Sequence, residues 1–70
     1  MDARRQFSAN LRALRLARGL SQEALGAECD LHRTEISLLE RAGRDPRLST
    51  LVRLARGLGV PVGSLLAKVE

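Results

Sequence analysis

Between Ser21 and Arg41 the sequence SQEALGAECDLHRTEISLLER carries two short apolar stripes separated by a polar stretch. Leu25 and Cys29 stand four residues apart and share one helical face; Ile36 and Leu39 stand three apart and share another. The intervening Cys-Asp-Leu-His is too polar, and too poor in helix formers, to continue either stripe. Two short helices joined by a tight turn follow, each offering one apolar face to a common core.

The flanking residues fit that reading. Ser21 is a preferred N-cap, and Glu23 in the first turn complements the helix dipole. Gly26, facing the second helix, lets two backbones approach where a larger side chain would hold them apart. Asp30 takes the turn position that wants a positive φ, which Asp tolerates. His32 stands at the cap of the second helix with Glu35 three residues on. This is half a capping box, because Glu35 can reach back while His32 is a poor substitute for Ser or Asp. The whole is the outline of a helix-turn-helix, in which the second helix is free to lie in a DNA major groove.

GLSQEALGAECDLHRTEISLLER, followed by DPRLSTLVRLARGLGVPVGSLL, resembles the helix-turn-helix domain of the phage repressor and Cro type, also called the xenobiotic-response-element family. The match runs from Gly19 to Leu66, and with the preceding helix it covers nearly the whole chain. Within that family LHRT-IS-LERAGRDP is most similar to the short controller proteins of restriction–modification systems. The resemblance implies a compact all-α, five-helix repressor-like domain spanning residues 1–70, with helices 2 and 3 forming the motif.

Composition narrows the alternatives. Seventy residues make one small domain, which buries only about 60% of its unfolded surface. Phe7 is the sole aromatic, so the core must be aliphatic, and no alternating pattern suggests a strand. The net charge is +4, and eleven of the twelve basic residues are arginine, which suits bidentate contact with phosphates and guanine edges. Without aromatics to stack on bases, single-strand or RNA platforms are disfavoured. Cys29 lies at an apolar position and reads as a small core hydrophobe. No metal cluster, nucleophile triad or phosphate loop is present, so no catalytic residue, metal or cofactor is expected. No targeting, membrane or lipidation segment is visible, which points to the cytoplasm.

Taken in order, residues Met1 to Ala3 read as a frayed terminus. Helix 1 runs from about Arg4 to Arg18 with Phe7, Leu11 and Leu14 on one face, and Gly19 ends it as a left-handed cap. Leu16 lies off that stripe, partly exposed or touching a partner. Helix 2 spans Gln22 to Cys29 and helix 3 Arg33 to Arg41. Family members place glycine at the position of Ala42; here glycine comes one residue later, and Gly43 is the expected left-handed cap. Helix 4 covers Leu48 to Leu58, carrying Leu48, Leu51, Leu54, Ala55 and Leu58 inward from a start that Arg47 caps poorly. Helix 5 begins near Pro61 and reaches about Lys68, with Leu65 and Leu66 packing back.

Setting aside the core positions Ile36 and Leu39, the outer part of helix 3 presents Arg33, Thr34, Ser37 and Leu38 for base readout. Arg33 can donate twice to guanine, and Thr34 can bond or place its methyl on thymine. Leu38 either reads a thymine methyl or is a stray exposed leucine. Glu35 stands where controller proteins often carry an aromatic, and is expected to cap the helix or to orient Arg33. Gln22 matches the family glutamine that bonds a backbone phosphate. Arg41, Arg44 and Arg47 would flank the groove on the other side. Arg53 and Arg56 read as solvent-facing or near a dimer contact; Arg4 and Arg5 form a flexible basic terminus or an arm. By resemblance, Arg15 pairs with Glu40, which also avoids a charge buried alone.

One such domain reads about one half-site, so a homodimer on a two-fold double-stranded DNA operator is expected. Its contact would lie near residues 58–68, through Val60, Val62, Ser64 and Leu66. The function implied is a sequence-specific transcriptional regulator with no evident small-molecule effector. The alternative is a helix-turn-helix antitoxin or anti-regulator that acts mainly through a protein partner.

Overall fold

The computed structural model describes residues 2–70. Among them the chain forms five helices and no strand: α1 (Ala3–Ala17), α2 (Gln22–Cys29), α3 (Arg33–Glu40), α4 (Leu48–Leu58) and α5 (Val62–Leu65). The all-α architecture read from the sequence is the one observed. The frayed start expected for Met1 to Ala3 falls partly on Met1, outside the described residues. Asp2 is instead a working cap, its Oδ1 accepting from the Arg5 amide at 2.8 Å, and α1 already begins at Ala3.

Local chemistry sets the helix ends. Gly19 has φ +66°, and the Leu20 amide turns back to the Arg15 carbonyl at 3.2 Å, closing α1. Ser21 Oγ accepts from the Ala24 amide at 3.0 Å to open α2, and Asp30 closes it at φ +56°. The Leu31 amide reaches the Gly26 carbonyl at 2.8 Å; a Cβ on Gly26 would stand 2.5 Å from the Leu31 oxygen. Only glycine permits that turn to close so tightly.

α3 departs from expectation at both ends. His32 does cap it, Nδ1 accepting from the Thr34 amide at 3.1 Å, whereas Glu35 does not complete a capping box. At the far end the left-handed residue is Ala42, at φ +58°, not Gly43. The Gly43 amide bonds back to the Leu38 carbonyl at 2.9 Å, which forces the preceding residue into the left-handed region. The Leu39 carbonyl at this end accepts from Ser8 Oγ of α1 at 2.5 Å and from the Ala42 amide at 3.3 Å.

α4 starts at Arg47 without a side-chain cap, as its sequence suggests, and ends at Gly59 with φ +70°. Arg18 reaches across from α1 to donate to the carbonyls of Leu58 (2.8 Å) and Gly57 (3.2 Å). Leu48 is 76% exposed, contrary to its expected inward position. It is the first residue of α4, ahead of the stretch that packs on α2 and α5. α5 is a single turn, not a helix to Lys68. Asn10 Nδ2 takes the Leu65 carbonyl at 3.0 Å and the Ala67 carbonyl at 2.8 Å, and Lys68 turns left-handed at φ +63°. Leu66 is consequently exposed instead of packing back; Leu65 is fully buried.

The core joins Phe7 and Leu11 of α1, Leu25 and Cys29 of α2, Ile36 and Leu39 of α3, the buried face of α4 and Leu65 of α5. It is aliphatic apart from Phe7 and Cys29. Gly57 lies directly against the Cys29 sulfur, so close that no Cβ fits there. Burial, with a smaller contribution from Glu28, pushes the Cys29 thiol up from its usual range and keeps it protonated.

Candidate nucleic-acid interface

Ile36 and Leu39 turn wholly inward, which presents the opposite side of α3 to solvent. Arg33 and Thr34 are exposed there, while Ser37 and Leu38 are half-buried. Leu38 is not a stray exposed leucine: its side chain lies over Gly43, at the base of the following loop. Arg33 Nη1 is 3.8 Å from Glu23 Oε2 on α2, with both side chains more than two-thirds exposed (68% and 80%). A pair so open to water contributes little, so Arg33 is free to leave it for a stronger acceptor.

Behind this face lies a buried polar network. Arg15 Nε donates to Glu40 Oε2 at 2.6 Å and Nη2 to Oε1 at 3.0 Å, a bidentate pair with side chains only 10% and 4% exposed. Arg15 Nη1 closes on the Leu20 carbonyl at 2.8 Å. The hydrogen bond to Glu40 raises the guanidinium pKa further, against the opposing effect of burial. Gln22 Nε2 also donates to Glu40 Oε1, at 3.2 Å. One N–H of the Gln22 amide is thus engaged inside the protein, and a second remains for an outside partner. Gln22, Arg33, Thr34 and Ser37 line a shallow notch of about 240 Å³ between α2 and α3.

On the other flank, a groove of about 640 Å³ runs between α3, the loop and α4, lined by Leu31, Glu35, Arg44, Asp45, Arg47, Ser49, Thr50 and Arg53. Glu35 neither caps α3 nor orients Arg33; its Oε1 accepts from Arg44 Nη1 at 2.5 Å. The loop path decides this, bringing residue 44 back over the first turn of α3 while Arg33 faces α2. Arg53 is exposed and lines this groove, donating to the Asp30 carbonyl at 3.3 Å. Arg4 is no loose arm, for its Nε holds Asp45 Oδ1 at 2.8 Å and its Nη1 approaches the Ala42 carbonyl at 3.4 Å. The Arg4 guanidinium lowers the Asp45 pKa by hydrogen bonding and by charge. Arg41 and Arg47 are exposed and enter no ion pair among the described residues.

Elsewhere, Val60 and Val62 pack half-buried at the edge of the core, Ser64 is half-buried, and Leu66 is 38% exposed. Among the described residues no cluster of side chains could hold a metal ion, and no helix is long and apolar enough to cross a membrane.

This arrangement is matched in known proteins. Residues 11–65 fit the model of the family described as helix-turn-helix. The chain belongs to the helix-turn-helix family. It is 43% identical over 61 residues to control protein C.BamHI of Bacillus amyloliquefaciens, covering 86% of this chain and 75% of that protein. Control protein C.SmaI of Serratia marcescens is 41% identical over 68 residues, with 97% and 81% covered. The crystal structure of the restriction–modification controller protein C.AhdI from Aeromonas hydrophila superposes with a TM-score of 0.86 at 35% identity, covering 89% of this chain and 94% of that one. Helix-turn-helix domains of this kind bind DNA through the second helix of the motif. The chain is a DNA-binding regulator of that family, and not an enzyme.

Sequence reasoning missed Ser8, Asn10, Gly57 and the Glu35–Arg44 pair. For Asn10 and Ser8 the only available signal was a polar residue beside the apolar stripe of α1.

Proposed function

We propose that the chain is a cytoplasmic transcriptional regulator of the controller type that binds a two-fold operator as a homodimer, with α3 in the major groove. The observation that carries this reading is the outer face of α3: Arg33, Thr34, Ser37 and Leu38 stand opposite a wholly buried Ile36–Leu39 stripe. In this reading Arg33 reads a guanine edge, Thr34 and Ser37 bond bases or backbone, and Leu38 meets a thymine methyl. Gln22 uses its remaining N–H on one phosphate strand; Arg41, Arg44 and Arg47 serve the other. The likeness to restriction–modification controller proteins supports the regulatory role.

Residues 1–70 act as one domain whose dimer contact lies near residues 58–68. Not one charged side chain occurs from Gly57 to Ala67, and Val60, Val62, Ser64 and Leu66 form an accessible, uncharged patch there. Selection of bound sites from a random duplex library tests the assignment. Wild type should return an inverted repeat, and Arg33→Ala should cost about 1–3 kcal/mol at that site and relax one base pair per half-site. Unchanged discrimination by the mutant would remove Arg33 from the readout.

A further inference from the structure

We propose that Glu35 is a resident competitor for Arg44: in the free protein its carboxylate holds the guanidinium that a DNA phosphate takes up in the complex. Glu35 would then set both the strength and the salt dependence of binding. The inference rests on the DNA-binding reading above.

A carboxylate and a phosphate present the same kind of anionic oxygen to a guanidinium, so the Glu35 site on Arg44 is one a phosphate can take. The pair stands in the wall of the groove beside α3, where Arg47 and Thr50 face the same space. Its members are 53% (Arg44) and 25% (Glu35) exposed, open enough for exchange. Glu35 pairs with no other cation among the described residues: Arg33 leans toward Glu23 across α2, and Arg53 is on the Asp30 carbonyl. When Arg44 turns to a phosphate, the carboxylate is left facing a polyanion, and that repulsion is the cost of the exchange. The loop itself need not move. A rotation of the half-exposed Arg44 side chain is sufficient for the exchange.

The experiment is a double-mutant cycle on the whole chain: wild type, Glu35→Gln, Arg44→Ala and the double variant, each titrated against labelled duplexes of several sequences. Affinities are compared between about 50 and 200 mM salt. Glu35→Gln is expected to bind all the duplexes more tightly. It should also show the steeper salt dependence, because in the wild type salt screens the competing Glu35–Arg44 pair and so partly offsets the weakening of the phosphate contacts, an offset the variant lacks. In the Arg44→Ala background the same substitution should leave the salt slope unchanged. Glu35→Ala, which removes the carboxylate without supplying an amide, should behave like Glu35→Gln, and thermal melts check that each variant is folded. Weaker binding by Glu35→Gln would mean that Glu35 holds Arg44 in a productive place. A new base preference would mean that it reads a base, and an unchanged slope that Arg44 never exchanges; each overturns the proposal alone. A wild type with no salt-dependent duplex binding would overturn the DNA-binding reading as well.

Discussion

Glu40 is the meeting point of three helices: it accepts twice from Arg15 of α1 and once from Gln22 of α2. A buried ion pair contributes modestly as a pair, but removing one member leaves the other charge stranded in a poorly solvated place. Glu40→Ala should therefore destabilise the fold by about 3–5 kcal/mol, read as a large drop in melting temperature. A melt within a degree or two of wild type would show that Arg15 finds solvent once freed. The Arg15–Glu40 partnership was legible, since the family resemblance points to it and both residues border apolar stripes. The attachment of Gln22 was not, because an exposed-looking first-turn glutamine carries no sign of an inward partner. Nor was Glu35–Arg44 legible. Nine residues separate the two, and only the course of the intervening loop decides whether they meet.

At the level of elements, the ends of the helices were easier to read than their lengths. Gly19 and Asp30 were placed correctly in left-handed positions, because each suits that conformation by its own sterics. The same logic misplaced the end of α3 on Gly43. The helix closes through the Gly43 amide on the Leu38 carbonyl, and the residue before it, an alanine, takes φ +58°. Replacing it removes a Cβ penalty of about 1–2 kcal/mol, partly offset by the greater freedom of unfolded glycine. Ala42→Gly should thus raise stability by about 1 kcal/mol in chemical denaturation. A destabilised variant would place the strain elsewhere. α5 was overread for another reason: a run of helix-compatible residues cannot show that Asn10, more than fifty positions earlier, has claimed its carbonyls (Leu65 O is 55 residues away).

The described residues span 29 Å in their longest dimension, less than the roughly 34 Å between the centres of adjacent half-sites on one DNA face. One copy cannot read both halves of a palindrome. If two copies meet at the uncharged patch around α5, a charge placed there should part them. Val62→Glu is expected to give a folded monomer, or one of reduced stability, in equilibrium sedimentation. Binding to a full palindrome should then collapse while binding to an isolated half-site changes little. A mutant that stays dimeric, or a wild type monomeric at tens of micromolar, would put the interface somewhere else. The five-helix architecture was legible at this scale because the stripes of α1 to α4 are clear. The groove beside α3 was not, since it is assembled from a turn, a loop and a helix that share no periodicity.

The contact between Gly57 and the Cys29 sulfur carries a consequence for how such a sequence can drift. The two positions form one filled volume shared between α2 and α4, with the sulfur on one side and nothing on the other. A methyl group gained at 57 cannot be accommodated while sulfur occupies 29, and the Glu28 backbone at 3.3 Å leaves little room to yield. Related chains should therefore change these two positions together, a smaller residue at 29 accompanying any side chain at 57. Descendants that alter only position 57 would lose the packing of α2 on α4, and with it the platform that holds the turn before α3.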